Sequence, residues 1–128
     1  MDPTDLEALP LFSTLQRPDI EWLSRHVDDV DVEAGRHIVD QGAIAWEFFV
    51  IAEGSARILR DGEHVTDLGP GDFFGEMALV EADRRNATVI ATTPLRLGVM
   101  LERDFREMER EMPVVARAIR EAIEARRA

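Results

Sequence analysis

The stretch Gly69-Pro70-Gly71-Asp72-Phe73-Phe74-Gly75-Glu76-Met77-Ala78-Leu79, followed at short range by Arg84-Arg85-Asn86-Ala87-Thr88-Val89, holds the residues best suited to chemistry. Gly75 stands immediately before a short helical stretch expected around residues 76–81. A glycine there lets a ligand approach the backbone, and the unpaired N–H groups of a first helical turn face the same space. That arrangement receives an anion. An arginine returning at the far end of the loop could close on it through charge-assisted bonds worth about 1.5–3 kcal/mol each. One buried guanidinium with neutral donors balances a single negative charge, which suits a cyclic phosphodiester better than an open mononucleotide carrying nearly two. Glu76 would repel a phosphate, so its carboxylate needs a donor elsewhere, and a ribose 2′-hydroxyl is one.

Each residue also has a plainer reading. An Arg-Arg pair is ordinarily solvated surface. A glutamate at a helix N-terminus is stabilised by the dipole without any ligand. Phe48, Phe49, Phe73 and Phe74 read as core, because large aromatics dominate apolar burial. His26, His37 and His64 lack ligand-like spacing, so no metal site is expected and a metal-dependent barrel enzyme is disfavoured. No Gly-x-Ser-x-Gly elbow or other nucleophile motif occurs, and the carboxylates are dispersed rather than paired, which leaves catalysis without a carrier.

The elements that must position this loop are legible from periodicity. Residues 1–28 read as N-terminal helices in two short pieces, with Pro10 and Pro18 as breaks. From Val30 the pattern alternates with period two, as in a half-buried strand. Turn signals then recur at Ala34-Gly35, Gln41-Gly42, Glu53-Gly54, Asp61-Gly62 and residues 69–72, as a barrel or sandwich requires. Asp61-Gly62 marks the clearest hairpin, since both central residues of a type I′ turn take positive φ; a two-residue loop sets Ile58 opposite Val65. Strands are expected at 36–39, 46–52, 55–60, 63–68, 87–92 and 95–101, and helices over 102–112 and from Pro113 onward. In the last helix Val114, Val115, Ala118, Ile119, Ala122 and Ile123 form one apolar stripe. The fold class is mainly β with flanking α: a roll or jelly-roll-like barrel over 29–101, preceded by helices and followed by C-terminal lid helices over 102–128.

Composition narrows the partners. With 128 residues, 45% hydrophobic and 32% charged, the chain fits one globular domain with one core. A formal net charge of −11 repels phosphate backbones, so direct nucleic-acid binding is not expected. The absence of cysteine excludes disulfides and thiol catalysis and agrees with a reducing compartment. No apolar run approaches the roughly 20 residues needed to span a bilayer, and the N-terminus lacks the basic and apolar regions of a signal peptide. No membrane partner is expected, and the cytoplasm is the default location.

Phe74-Gly75-Glu76-Met77-Ala78-Leu79 with Arg85-Asn86-Ala87-Thr88 at this spacing resembles the phosphate-binding cassette of cyclic-nucleotide-binding domains, here residues 74–88. The family includes catabolite-activator-type regulators, regulatory subunits of cyclic-AMP-dependent kinase and cyclic-nucleotide-gated channels. The likeness extends over nearly the whole chain, through Leu11-Phe12, Gln41-Gly42, Gly54, Gly69-Pro70-Gly71-Asp72 and Asp104-Phe105. It implies that Phe74, Gly75, Met77, Ala78 and Ala87 offer backbone donors or close contacts, that Glu76 binds the ribose 2′-hydroxyl and that Arg85 binds the cyclic phosphate, with Arg84 turned outward. It also sets Ile58, Val65 and Thr66 beside the base or sugar. Asn86 stands where the family usually has Ser, Thr or Ala, and could donate to phosphate or to guanine. The last helix, which caps the base in the family, has neither Trp nor Phe here. What the resemblance implies is a regulatory sensor for cyclic AMP or cyclic GMP in signal transduction, needing no cofactor, with the C-terminal helix available to a homodimer or an effector. A degenerate interaction domain that binds no nucleotide is the alternative, and a barrel enzyme a more distant one.

Overall fold

The computed structural model describes residues 1–44, 47–75 and 84–127, without the side chains of Arg126 and Arg127. The chain opens with helix α1 (Pro3–Glu7), a 3-10 turn (Pro10–Phe12) and helix α2 (Arg17–His26). These are three helical pieces where the sequence suggested two, because a proline begins the 3-10 turn and another occupies the first turn of α2, a position where its missing N–H costs nothing. Among the described residues eight strands follow: β1 (Asp28–Val32), β2 (His37–Val39), β3 (Glu47–Glu53), β4 (Ala56–Arg60), β5 (Glu63–Leu68), β6 (Phe73–Phe74), β7 (Thr88–Ala91) and β8 (Leu95–Leu101). Helices α3 (Glu102–Glu111) and α4 (Pro113–Arg127) complete the chain.

The strands form two four-stranded antiparallel sheets, ordered β1-β8-β3-β6 and β2-β7-β4-β5. They face one another as a roll, and the sheets do not close into a barrel. Strand β3 explains the layering. Its run Phe48-Phe49-Val50-Ile51 is buried on both faces, and successive side chains point to opposite sides. Phe49 and Ile51 enter the roll interior with Ala56, Leu68, Phe74, Val89, Leu95, Leu97 and Val99. Phe48 and Val50 join Met100 in a second core against Leu6, Phe12, Ile20, Leu23, Phe105, Met108, Ile119 and Ile123. The first sheet therefore carries the helices on its back. Edge strand β1 is less covered than its alternation suggested, with Val30 38% exposed.

The β4–β5 hairpin corrects a predicted register. Asp61 (φ 54°) and Gly62 (φ 80°) form the expected two-residue turn between Arg60 and Glu63, but the register shifts beyond Leu59 and His64, so that Ile58 faces Thr66 and not Val65. Val65 is the additional residue of a bulge and is 50% exposed. The shift sets Ala56 opposite Leu68, and both are buried. An unbroken ladder would pair Ala56 with Asp67 and turn the carboxylate inward.

In α4 the buried stripe is Val115, Ala116, Ile119 and Ile123, whereas Val114 is 79% exposed and Ala118 is also at the surface. The stripe is rotated from the expected one because α4 packs on α3 and the 3-10 turn, with Arg120 bound to Glu109 and lying over the Phe105 ring.

Arg96 on β8 ties the layers together at their edge. It donates to Asp29 of β1 through Nε (3.0 Å) and Nη2 (2.5 Å), and to Asp5 of α1 at 2.6 Å. The hydrogen bond from Arg96 holds the Asp29 carboxyl below its ordinary range. A depressed carboxylate contributes stability at pH values above its unfolded pKa and loses it as pH falls through the folded one. The native chain is expected to lose thermal stability below about pH 4 more steeply than Arg96→Ala, measured as melting temperature against pH. Parallel curves would contradict the pairing.

Candidate functional site

The site is built on β3. The turn before β6 is fixed by the Asp72 carboxylate, which accepts from the Gly69 N–H at 2.8 Å, and by backbone bonds joining Ile51 to Gly71 and Asp72, each 2.8 Å. Phe74 then pairs with Phe49, their rings stacked at 4.8 Å between centroids. This delivers Gly75 to the side of β3 with φ +77°, a conformation that L side chains rarely adopt.

The other end of the loop is held by residues 41–44. The Arg85 N–H donates to the Ala43 carbonyl at 2.7 Å, the Gly42 N–H donates to the Arg85 carbonyl at 2.9 Å, and Ile44 bridges Arg84. Gln41 braces this segment. Its backbone N–H donates to Thr88 Oγ1 at 2.9 Å, and its side-chain amide exchanges two bonds with Asp61 at 2.8 and 2.9 Å. The β4–β5 hairpin and the approach to β7 thus share one support.

Between these two ends lies the Arg85 guanidinium, with the residue only 6% exposed. Nη2 donates to the Glu47 carbonyl at 2.8 Å and Nη1 to the Gly75 carbonyl at 3.2 Å, while Cζ lies 5.7 Å from the centre of the Phe49 ring. Among the described residues two carbonyl dipoles and an aromatic face orient the guanidinium, contacts that suit its planar fork and delocalised charge. The buried cation sits against a glycine that has no room for a side chain: a Cβ on Gly75 would meet Arg85 Nη1 at 2.7 Å and the Glu47 carbonyl at 2.9 Å. A buried guanidinium is a group that can bind a small anion through charge-assisted hydrogen bonds.

Phe74, Gly75 and Arg85 are in mutual proximity through Phe49 and Glu47, and Ala87 is buried just beyond them. Arg84 is exposed, with Nη1 donating to the Gly42 carbonyl at 2.9 Å. Asn86 is exposed, and its carbonyl accepts from Arg60 Nε at 3.2 Å. Ile58 is half-buried opposite Val89 and Thr66; Thr66 is exposed and Val65 stands on the bulge. Glu76, Met77 and Ala78 lie outside the described residues, as does the helical stretch expected around them. Three contributors escaped sequence reasoning. Glu47 acts through a backbone carbonyl, which leaves no trace in residue type. Gln41 read only as part of a turn, and Phe49 read only as core, although its ring also carries Arg85.

Comparison with known proteins shows which family the chain resembles. The chain is 35% identical, over 94% of its length, to a cyclic nucleotide-gated potassium channel of Rhizobium etli, of which it covers 34%. It is 34% identical, over 80% of its length, to a cAMP-dependent protein kinase regulatory subunit of Schizosaccharomyces pombe, of which it covers 25%. The chain thus spans about a third or less of these curated relatives. The crystal structure of the Thermus thermophilus catabolite activator protein superimposes with a TM-score of 0.81 at 28% identity, covering 92% of this chain and 57% of that one. A sequence profile described as the cyclic nucleotide-binding domain matches residues 29–111. That match runs through both sheets, residues 75–85 and α3, and the chain accordingly belongs to the cyclic nucleotide-binding domain family.

Proposed function

We propose that this chain is a regulatory module that binds cyclic AMP or cyclic GMP at Arg85, performs no chemistry on it, and reports it through movement of its flanking helices. The observation that carries the reading is the buried Arg85 guanidinium in contact with the Gly75 carbonyl, ten residues earlier in the sequence. A singly charged ring phosphate is the ligand that one cation and neutral backbone donors balance. In this reading Arg85 takes the phosphate, the backbone of Gly75, Met77, Ala78 and Ala87 lines it, and Glu76 accepts from the 2′-hydroxyl. Phe74 supports the glycine from below. Ile58 and Thr66 flank the sugar or base, with Val65 and Asn86 at the rim. Residues 1–128 act as one domain, in which α4 leaves its place among the helices to cover the ligand. The names of the relatives, a cyclic nucleotide-gated channel and a cAMP-dependent kinase subunit, support the ligand class. Among the described residues no helix is long and apolar enough to cross a membrane.

Calorimetric titration with cyclic AMP and with cyclic GMP tests the proposal. Saturable one-to-one binding of either is expected, and no heat from either at millimolar concentration would instead leave the chain a docking domain that keeps only the fold. The ribose assignment has its own check. Glu76→Ala should lose a charge-assisted bond worth about 1.5–3 kcal/mol, a roughly 10- to 100-fold weakening, and should no longer distinguish the 2′-deoxy ligand from the parent. A variant that still discriminates rules the assignment out.

A further inference from the structure

Away from the cassette, three groups with metal-ligating atoms meet in the helical layer. His26 ends α2, while Asp104 and Glu107 stand one turn apart on α3, and one ligand atom from each lies within 4.8 Å of the other two. All three residues are half-buried. Linear spacing hid this group, because its members come from helices separated by the entire roll.

The imidazole is already oriented. His26 Nδ1 stands 2.8 Å from the Trp22 carbonyl; a carbonyl only accepts, so Nδ1 carries a proton and donates. The ring stacks on the Trp22 indole at 3.7 Å between centroids and 10° between planes. Trp22 is itself tied to α3, its indole N–H donating to Glu111 at 3.1 Å. Nε2 is thereby turned toward the carboxylates, with Glu107 Oε2 at 3.9 Å. That is beyond hydrogen-bond reach. It is close to the roughly 3.3 Å that separates two ligands of a tetrahedral zinc ion with bonds of about 2.0–2.1 Å. A histidine whose one nitrogen is held by a backbone carbonyl, with the other facing candidate co-ligands, has the outer-shell arrangement typical of metal-binding imidazoles.

We propose that His26, Asp104 and Glu107 bind a divalent transition ion of the zinc type, leaving a fourth position to water and clamping α2 to α3. A neutral imidazole and two carboxylates supply two formal negative charges, which a dication balances. The imidazole favours such an ion over calcium or magnesium, which prefer oxygen ligands alone. Closing the three ligand atoms around it requires movement of about 1 Å in the two carboxylates. This site is independent of the nucleotide reading.

The test is titration of the whole chain with zinc chloride, followed by calorimetry and thermal melting. One ion per chain is expected, with the melting temperature rising by roughly 5 °C or more at a hundredfold excess over Kd. His26→Gln should weaken binding by about 100-fold and abolish the rise, and Glu107→Gln should weaken it by at least about tenfold. His37→Ala and His64→Ala should leave it unchanged, since among the described residues each of these histidines meets a single carboxylate, Asp40 or Asp67. Melting of each variant without metal establishes that it is folded. Absence of binding at about 1 mM zinc, binding lost in the His37 or His64 variant but not in His26→Gln, or equally tight binding of magnesium or calcium would each overturn the proposal.

Discussion

Replacing Arg85 by alanine is expected to weaken cyclic-nucleotide binding by at least about 100-fold, because it leaves the ring phosphate in a buried place without its cation. Removing one partner of a buried ion pair costs about 3–5 kcal/mol, and each 1.4 kcal/mol is a factor of about ten in affinity. Arg85 is 6% exposed, so water cannot take over the charge. The neighbouring Arg84→Ala should change affinity by no more than about twofold, since exposed charges act through a screened medium. Arg85→Lys separates charge from shape. Lysine keeps the positive charge but cannot span the Glu47 and Gly75 carbonyls with a planar fork, so an intermediate loss of about tenfold is expected. Calorimetry at fixed salt reads all three, with thermal melts run beside it because Arg85 also braces the loop. Equal losses at Arg84 and Arg85 would reject the assignment of the phosphate to residue 85.

The contrast between these two adjacent arginines rests on their supports. Residues 41–43 hold the backbone at Arg85, which commits one side chain inward and the other outward. The inward one finds Phe49, Glu47 and Gly75 already arranged by β3. On the proposed reading a phosphate would therefore meet a cation whose direction is fixed before binding, with little orientational freedom left to lose on association.

How much of this is legible in the sequence depends on whether the deciding interaction is local. The Asp61-Gly62 turn, strand β5 and strand β8 follow from residue type and period alone, and their limits match the expectation. The bulge at Val65 does not, because it is selected by the need to bury Leu68 against Ala56 across the sheet. Strand β6 has two residues, too few to show a period, and exists only because Phe73 and Phe74 dock on β3. The stripe of α4 departs from expectation by part of a turn, since nothing local says which of Val114 and Val115 will meet the 3-10 turn. In the site, Gly75 and Arg85 are visible as a glycine before an expected helix start and an arginine ten residues further on. The carbonyl of Glu47 is invisible because every residue has one. The meeting of His26 with α3 is invisible because it is a product of tertiary folding.

Gly75→Ala offers the sharpest check on the geometry of the loop. Two costs add in this variant. A left-handed conformation penalises an L residue by about 1–2 kcal/mol, and φ at Gly75 is +77°. The new methyl would also stand 2.9 Å from the Glu47 carbonyl, 2.7 Å from Arg85 Nη1 and 3.2 Å from Phe49 Cδ2. The carbonyl belongs to the central strand β3 and cannot withdraw, so Arg85 must yield, and overpacking of this kind costs about 1–3 kcal/mol more. A loss of about 2–5 kcal/mol in stability is expected, a fall of roughly 10–20 °C in melting temperature, together with at least tenfold weaker nucleotide binding, because the displaced group is the one proposed to hold the phosphate. Gly62→Ala is the control. Its φ is +80°, and no atom lies within 4 Å of the place its methyl would take, so it carries the backbone cost alone and should leave affinity unchanged. If the two variants melt and bind alike, Gly75 is not pressed against Arg85, and the guanidinium is not held where the phosphate reading needs it.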